Sequence, residues 1–516
     1  MIFLEYTYVL FFEKRVKVIS FFFLLFALKG DTTMLFNSFE FIFVFLPITF
    51  LIYFIFAKFK WFTAAKVVIV AASIFFYAYW DYRYVLLLFF SIAFNFAVGK
   101  LLSRKPNKKI LIFGIAVNLG LLGYYKYVDF FLENVNRLFG TSVPLLEVIL
   151  PLAISFFTFQ QIGFLVDSNR GLTKDYNFLN YTLFVVFFPQ LIAGPIVQHK
   201  DVIPQFQQQT VFNINYENLA LGLFIFSSGL FKKVVIADSV ALWATPGFDE
   251  AASLTFFEAW GSALAYTFQL YFDFSGYSEM AIGLGLMFNI KLPINFFSPY
   301  KANSIIDFWR SWHMTLSAFL KDYLYIPLGG NRKGKPRKYM NLFITMLLGG
   351  IWHGAGWTFV IWGALHGLYN VINHLYRDIK KKLFPVKSSA VEIAASRSSY
   401  FFSLFSFTPA RILTFVAVVV GWVFFRAETV NDAVKVLKGM AGFNGIEFGK
   451  LEYFPQGLTE LVVLIGLYLW VSFAPNTIEF SKRLKPNWKW AMLITGLLIA
   501  AILFINRKAE FLYFQF

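Results

Sequence analysis

Apolar runs of about 20 residues recur along this chain, and each is long enough to cross a hydrocarbon core about 30 Å thick. Inside such a core the backbone must satisfy its own hydrogen bonds, so it forms helices or a closed barrel. A barrel would show short alternating segments instead of long runs. Of the 516 residues 58% are hydrophobic and 15% are charged, against roughly 25% charged in soluble domains. The sequence therefore predicts an all-α polytopic membrane protein with about 11–13 transmembrane helices.

The predicted spans are separated by short polar loops, and re-entrant or interfacial helices are expected between some of them. The segment 199–218 is polar and rich in glutamine, which indicates an interfacial segment or a loop. The run 340–376 is too long for one crossing, so it must tilt, break or extend beyond the membrane. The predicted spans are 35–57, 61–80, 84–102, 110–132, 148–166, 178–197, 216–243, 340–376, 412–425, 461–470 and 491–505.

The formal net charge is +17, and lysine and arginine cluster in short loops such as 58–60, 104–109 and 332–338. This distribution is the positive-inside pattern of a multi-pass protein of the bacterial inner membrane, with those loops in the cytoplasm. It argues against a nucleic-acid-binding protein, since the charge serves topology. The chain has no cysteine, which excludes disulfides, thiolate metal sites and a cysteine nucleophile.

Residues 1–33 differ from the rest of the chain. The charged segment Glu13–Lys17 separates two apolar pieces that are each too short to span a membrane. A signal-like region is one interpretation, although the small-residue cleavage site is missing. We expect instead an upstream extension, followed by a single integral-membrane domain over 34–516 whose catalytic core lies at about 260–376.

Ionisable residues inside apolar sequence concentrate in three segments: Phe272–Glu279, Asp307–His313 and Gly349–Trp357. A charged group at bilayer depth costs at least about 2.5–3.5 kcal/mol, so such residues are usually retained for function. These segments are where we expect the chemistry of the protein.

His353 lies about 20 Å along a helix that begins near Met340, at 1.5 Å per residue. Four glycines surround it, at positions 349, 350, 354 and 356. Each costs a helix interior roughly 0.8–1 kcal/mol relative to alanine. Tight helix packing explains such glycines, and so does a tunnel for a thin, flexible substrate.

His313 belongs to a segment, 303–330, that is too charged for a lipid-exposed span. Irregular or re-entrant backbone at this depth is tolerated only inside protein or along a water-filled cavity. Asp307 and Arg310 are three residues apart and are expected to form an ion pair on a helix. We predict a functional role for His313 and a structural one for that pair.

The remaining ionisable residues have weaker signals. Asp273 and Glu279 are expected in a broken helix, where hydrogen bonding to backbone or hydroxyl groups competes with catalysis as their role. His366 lies 13 residues after His353, about 220° around a continuous helix, so it should face elsewhere. His374 and His199 are expected to be polar caps near the ends of spans.

A neutral histidine in a dry site can take the proton of a hydroxyl that attacks an acyl carbonyl, which accelerates such reactions by typically 10²–10⁴. The sequence shows no nucleophilic serine elbow, zinc pair or phosphate-cradling loop. We therefore favour an acyltransferase without a metal or a bound cofactor. A transporter or flippase that relays protons through intramembrane histidine and aspartate residues is the competing class.

Several motifs together resemble the membrane-bound O-acyltransferase family, in particular its bacterial alginate and polysaccharide O-acetyltransferase branch. The resemblance runs from about residue 34 to the end, and in combination the motifs are highly specific. They are FFPQLIAGPI at 187–196, FDFSGYSE at 272–279, PYKA at 299–302, DFWRSWH at 307–313, TLS at 315–317, DYLYIPLGGNR at 322–332, WHGA at 352–355, WGALHG at 362–367 and FLYFQF at 511–516.

The resemblance implies a multi-helix core with a central tunnel, His353 at its bottleneck and His313 as the second histidine. Acetyl-CoA would be the cytoplasmic donor, and the acetyl group would pass to a hydroxyl of an extracytoplasmic polysaccharide. A separate periplasmic acetyltransferase of the SGNH type commonly completes that transfer. Peptidoglycan acetylation and teichoic-acid D-alanylation are alternatives within the class. The motifs also imply supporting or tunnel-lining roles for Trp352, Asp307, Arg310, Trp312, Asp273, Tyr300 and Tyr323.

Overall fold

A computed structural model describes residues 34–173, 176–192, 194–383, 408–446, 451–454, 457–485, 487–505 and 512. Every regular element in these ranges is a helix, which confirms the all-α prediction. The predicted upstream extension, and all of the closing 511–516 motif except Leu512, lie outside the described residues.

Most of the described chain is α-helical, with short 3₁₀ and π turns between or within the helices. The α-helices are Leu46–Lys58, Phe62–Trp80, Val85–Arg104, Lys108–Leu122, Val128–Phe139, Ile154–Asn169, Phe178–Val186, Phe188–Leu191, His199–Gln207, Tyr216–Phe231, Asp238–Thr245, Phe256–Met287, Ile305–Trp309, Met314–Leu320, Gly334–His353, Trp357–Leu383, Pro409–Arg426, Val430–Met440, Leu458–Phe473, Thr477–Ser481 and Trp488–Phe504. The π turns are Glu40–Phe45, Gly123–Tyr127, Lys232–Ala237, Pro246–Glu250 and Lys321–Tyr325, and the 3₁₀ turns are Tyr82–Tyr84, Gln209–Phe212 and Pro299–Lys301.

Six helical stretches in the described chain are long and apolar enough to cross a membrane. They are Glu40–Lys58, Phe62–Trp80, Tyr82–Arg104, Lys108–Phe139, Tyr216–Glu250 and Pro409–Arg426. Two shorter apolar helices, Leu458–Phe473 and Trp488–Phe504, accompany them. Large apolar side chains such as Leu86 and Leu413 lie exposed on these helices, as is typical of lipid-facing surfaces. The polytopic membrane architecture is thereby confirmed, whereas the count of 11–13 crossings stays a prediction.

The described residues form two compact units, and the first comprises those within 34–122, 150–219 and 284–292. Its helix Ile154–Asn169 is buried along nearly its whole length and packs against Lys108–Leu122 and Val85–Arg104. The predicted span 178–197 is wrong, because the helix that begins at Phe178 ends at Val186 and a four-residue helix follows. Phe187 leaves the helical region with ψ of 108° and is the N-cap of that four-residue helix, which has Pro189 in its first turn.

His199 is a buried residue of this first unit rather than a polar cap, so that prediction is wrong. Its Nε2 lies 3.0 Å from a carboxylate oxygen of Asp167, and its Nδ1 lies 3.0 Å from the Tyr176 hydroxyl. Burial is tolerated here because both ring nitrogens have partners. The helix that His199 begins, His199–Gln207, is far too short to span a membrane, in agreement with the prediction for 199–218.

The second unit comprises the described residues within 123–149, 220–283 and 293–512, and it includes most of the 32-residue helix Phe256–Met287. The predicted break at 272–279 is wrong, because this segment is regular helix throughout. Gly276 is where the neighbouring helix Tyr216–Phe231 approaches, and a Cβ at Gly276 would lie 2.6 Å from the carbonyl oxygen of Gly229. The small residues thus serve close helix packing rather than a turn.

The long run 340–376 does break, between the helices Gly334–His353 and Trp357–Leu383. The two helices pack against each other through Gly350 and Gly363, where a Cβ on Gly350 would lie 2.7 Å from the Gly363 Cα. Tight packing therefore accounts for Gly350. Gly354 and Gly356 lie in the break itself and form the turn that follows His353.

Candidate active site

His353 is the last residue of its helix, which ends because Gly354 adopts an extended conformation with φ of −157°. A side chain at position 354 would collide with the Phe359 ring, so the turn requires glycine. The half-buried imidazole lies among aromatic rings, with its centroid 4.9 Å from that of Trp352, 5.1 Å from that of Trp362 and 5.1 Å from that of Phe425. It is thus held by ring contacts at a helix end inside protein.

His313 is buried in the irregular segment predicted between 303 and 330, and it has the left-handed conformation with φ of 44°. That conformation is uncommon for a side chain with a Cβ, and strained residues of this kind cluster at functional sites. The backbone N–H of the next residue, Met314, donates to the Asn295 carbonyl at 2.9 Å. The Phe274 ring packs edge-on against the imidazole, with the centroids 4.7 Å apart.

Asn295 determines the tautomer of His313. Its side-chain oxygen accepts from the Thr315 backbone N–H at 3.4 Å and from the Thr315 hydroxyl at 2.9 Å, and its amide nitrogen donates to the Ser278 hydroxyl at 3.1 Å. The same oxygen lies 3.0 Å from His313 Nδ1, so Nδ1 carries the hydrogen. Nε2 is then an acceptor, and it has no hydrogen-bond partner among the described residues.

The two histidines come together at one small cavity. Their ring centroids are 6.4 Å apart, although 40 positions separate them in the sequence (353 − 313). The cavity has a volume of about 20 Å³, which is room for about one water molecule. It is lined by Leu270, Phe274, Trp312, His313, His353, Trp362, Trp422 and Phe425.

Lys126 contacts the histidine-bearing helix and was not identified from the sequence. Its ammonium donates to the carbonyl oxygens of Trp352 at 2.7 Å and His353 at 2.8 Å, and the neighbouring Tyr127 hydroxyl donates to the Ile351 carbonyl at 2.8 Å. The last carbonyls of a helix lack intrahelical partners, and its C-terminus attracts cations. Lys126 therefore fixes the helix end that carries His353.

The π turn Gly123–Tyr127 within the span Lys108–Phe139 places these donors. Such one-turn π segments are frequent at functional sites. A lysine inside the apolar run 110–132 was a usable signal, because an ionisable residue at that depth is a functional candidate by default. Asn295 offered no comparable signal, since an asparagine in a loop is ordinary.

The carboxylates of Asp273 and Glu279 form ion pairs with two lysines of the π turn Lys232–Ala237. Lys233 lies 2.5 Å from Asp273 and 2.8 Å from Asp238, with all three side chains at most 6% exposed. Lys232 pairs with Glu279 at 2.5 Å, and the Thr477 hydroxyl donates to the second oxygen of that carboxylate at 2.9 Å. The carboxylates thus hold helices together through buried ion pairs.

Replacing Lys233 with methionine should strongly destabilise the protein, because it leaves two buried carboxylates without their cation. Breaking a buried pair in this way typically costs about 3–5 kcal/mol. The matched control is Arg83→Met, which breaks the exposed pair with Asp81 and should cost at most about 1 kcal/mol. Each variant is heated in detergent, and size-exclusion chromatography measures the fraction of protein that has not aggregated at each temperature. Equal stability of the two variants would contradict a structural role for Lys233.

Four other predicted site residues are aromatic, and they lie at different distances from the histidine cavity. Trp352 touches the His353 ring and Trp312 lines the shared cavity. Tyr300 is buried behind Trp312, with the ring centroids 6.1 Å apart, and its hydroxyl donates to the Thr267 carbonyl at 3.0 Å. Tyr323 packs on Phe319 within the π turn Lys321–Tyr325.

Asp307 and Arg310 form the expected pair at 3.6 Å, but their side chains are 40% and 72% exposed. Arg377 adds a second cation to Asp307 at 3.2 Å. Neither Asp307 nor Arg310 lines the cavity of the two histidines. The structural role of this pair stays a prediction.

His366 does not face away from the site as predicted, because the helix break changes the angle between it and His353. Its ring packs against Trp362, with the centroids 4.9 Å apart, and Trp362 in turn contacts His353. The Trp309 indole N–H donates to His366 Nδ1 at 3.3 Å. His366 therefore supports the aromatic wall of the cavity from behind.

The basic segment 332–338 contacts the C-terminal end of the helix Trp357–Leu383 through an ion pair. Lys335 lies 3.1 Å from the Asp378 carboxylate, and the Tyr339 hydroxyl donates to it at 2.9 Å. Hydrogen bonding to Lys335 and Tyr339 holds the pKa of Asp378 below its ordinary value. His374, predicted to be a polar cap, lies with Nδ1 3.2 Å from the Lys338 ammonium.

Replacing Asn295 with leucine should lower the turnover number about tenfold, because His313 is then no longer restricted to one tautomer. The hydrogen bonds of Asn295 to Thr315 and Ser278 are lost as well, at roughly 0.5–1.5 kcal/mol each. Asn295→Asp, which keeps an acceptor at Nδ1, should retain more activity. Steady-state rates of the purified variants measure the difference. Wild-type turnover by Asn295→Leu would show that the tautomer of His313 is irrelevant to catalysis.

The sequence of the chain is similar to those of known membrane proteins. A family model described as MBOAT, membrane-bound O-acyltransferase family, matches residues 165–417, which include both histidines. The chain is 49% identical over 455 residues to a peptidoglycan O-acetyltransferase of Helicobacter pylori, covering 81% of this chain and 82% of that protein. It is 36% identical over 514 residues to a probable alginate O-acetylase of Pseudomonas putida, covering 94% and 100%.

A more distant relative is a teichoic acid D-alanyltransferase of Bacillus subtilis, 27% identical over 242 residues and covering 45% of this chain and 60% of that protein. The similarities to the Helicobacter pylori and Pseudomonas putida proteins extend over most of both sequences in each pair, well beyond the motifs. The chain therefore belongs to the membrane-bound O-acyltransferase family and is an O-acyltransferase.

Proposed function

We propose that this protein transfers an acetyl group from cytoplasmic acetyl-CoA to a hydroxyl on the outer side of the bacterial inner membrane, with His353 as general base. The single observation that carries this proposal is the meeting of His353 and His313 at one cavity inside a helical membrane protein. A proton-relaying transporter would use similar residues, but its relatives would not be O-acetyltransferases.

In the proposed reaction a hydroxyl oxygen attacks the carbonyl carbon of the acetyl thioester. The new C–O bond forms as the C–S bond breaks, and His353 takes the hydroxyl proton and returns it to the departing thiolate. Since coenzyme A leaves as the thiol and the acceptor leaves as the ester, atoms and charge balance. General-base assistance of this kind contributes typically 10²–10⁴ in rate.

His313 has the complementary role of orienting the acyl donor or the acceptor. Because Asn295 accepts the Nδ1 hydrogen, Nε2 presents a lone pair and can accept a hydrogen bond from a group other than the attacking hydroxyl, whose single proton goes to His353. The small size of the shared cavity, about 20 Å³, means that the lining aromatic rings must move when the acetyl group is bound. It also favours a narrow attacking group, such as a side-chain hydroxyl of a partner protein, over a sugar within a polymer.

We infer a periplasmic acetyltransferase partner of the SGNH type for two reasons. The histidine cavity is small, and the sequence motifs resemble those of the alginate and polysaccharide O-acetyltransferase branch. Peptidoglycan is our proposed final acceptor, because the Helicobacter pylori relative is more similar in sequence than the alginate O-acetylases, which are 36–39% identical. Alginate or another polysaccharide is the second candidate. The D-alanyltransferases match less than half of this chain, so D-alanylation ranks below both.

The test uses inner-membrane vesicles that contain the protein together with a periplasmic acetyltransferase of the SGNH type. Radiolabelled acetyl-CoA is supplied on the cytoplasmic side, and label is followed into muropeptides and, separately, into alginate. Label in muropeptides that depends on His353 supports the proposal, and label confined to alginate replaces the acceptor. Substrate export without any label transfer would overturn the enzymatic assignment of this site.

A further inference from the structure

The second unit contains a cavity separate from that of the histidines. It has a volume of about 330 Å³, which is within the range of small-molecule sites, roughly 300–1,000 Å³. Its walls come from the helices Tyr216–Phe231, Leu458–Phe473 and Trp488–Phe504, which are apolar elements of the membrane architecture. Most of the lining is aromatic or aliphatic, including Phe224, Phe231, Trp470, Phe480, Leu493 and Leu497.

One part of the lining is polar. Lys232, Ser298, Asn476 and Thr477 all line the cavity. Lys232 has three N–H donors, and among the described residues Glu279 accepts one of them. The remaining donors can serve an oxygen-rich group. Asn476 donates to Ser298 at 2.8 Å and Thr477 donates to Glu279 at 2.9 Å. The cavity therefore combines a long apolar surface with the ammonium of Lys232 as the donor to phosphate or ester oxygens.

We infer that this cavity binds one acyl chain of a membrane phospholipid, with an ester or phosphate oxygen of that lipid at Lys232. The lining residues Leu493 and Trp470 are 39% and 44% exposed, so the apolar wall is continuous with the outer face of its helices. In a bilayer that face meets acyl chains. A chain that enters between the helices buries its apolar surface without exposing any backbone polar group to hydrocarbon.

The cavity is distinct from the acyl-transfer site because the helix Phe256–Met287 lies between them. Leu270 and Phe274 line the histidine cavity, whereas Tyr271 and Phe272 line the lipid cavity. The two are nevertheless linked by ring contacts, since the Tyr271 centroid is 6.2 Å from that of Trp312, which lines the histidine cavity. A bound chain therefore supports the wall behind the reacting groups.

Filling the cavity with a bulkier side chain tests the inference. Leu497→Trp places an indole in the cavity, and Leu503→Trp, on the same helix at a residue 75% exposed that does not line the cavity, is the matched control. The full-length protein is purified in detergent, mixed with dioleoyl phosphatidylglycerol or dioleoyl phosphatidylethanolamine, and analysed by native mass spectrometry. We expect wild type and Leu503→Trp to retain one phospholipid and Leu497→Trp to lose it at least tenfold. Equal retention by all three proteins overturns the inference.

A second measurement does not depend on any variant being folded. Wild-type protein is reconstituted with a phosphatidylcholine that carries a photoreactive diazirine on its acyl chain, irradiated and digested. Adducts concentrated on peptides that contain 224–232, 470–480 or 493–497 support the inference. Adducts distributed only over outward-facing residues such as Leu86 and Leu413 contradict it, because they represent bulk lipid.

Discussion

Replacing His353 with alanine is expected to lower the rate of acetyl transfer by about 10²–10⁴, the usual contribution of a general base. The imidazole is the ionisable group at the end of the helix Gly334–His353, and it shares its cavity with His313. Truncation removes the proton acceptor without breaking an ion pair, and should therefore leave the folded protein in place. Transfer of labelled acetyl from acetyl-CoA by purified protein in detergent measures the effect.

The matched histidine control is His374→Ala, which removes an imidazole held by Lys338 and absent from the lining of the cavity. Its transfer rate should stay near that of the wild type. If His353→Ala were equally active, His353 could not be the general base, and the proposed mechanism would fail while the family membership would stand.

Replacing Lys126 with methionine is expected to reduce the turnover number about 10²-fold, the typical effect of displacing a catalytic group by about 1 Å. Methionine keeps the length of the side chain but leaves the carbonyls of Trp352 and His353 without their donor. Each unsatisfied buried carbonyl costs about 1–3 kcal/mol, so the helix end should shift or fray. The Michaelis constant for the donor should change little, because Lys126 hydrogen-bonds to the backbone of the helix that carries His353.

Lys126→Arg should restore much of the activity, since a guanidinium can donate to both carbonyls. The control Lys109→Met removes a lysine from the exposed beginning of the same span and should be neutral. A merely global role for Lys126 predicts a lower melting temperature with an unchanged turnover number in the surviving protein. That outcome would refute its positioning role.

Local chemistry along the chain was sufficient to predict the fold class and most of the long apolar helices. It also selected the two histidines whose rings the structure brings to one cavity. A long apolar run in a bilayer forms a helix, because its backbone must satisfy its own hydrogen bonds. An imidazole inside such a run is a functional candidate, because ionisable residues are rare at that depth. The break at 354–356 was among the outcomes expected for an overlong run. The turn prediction for 272–279 was wrong because glycine, serine and carboxylates are typical of turns. Their actual partners, Gly229 and Lys233, lie 47 and 40 positions away from Gly276 and Asp273.

The sequence by itself determined that the protein is helical and membrane-embedded, because both properties depend on the composition and length of continuous segments. It also identified His353 and His313 as the residues to consider together. The tertiary structure alone decided that their rings meet at one cavity, that Asn295 selects the tautomer of His313 and that Lys126 holds the carbonyls beside His353. The physical reason is that a hydrogen bond depends on a distance of about 3 Å and a direction, and residues 18 to 227 positions apart acquire these only when the helices pack.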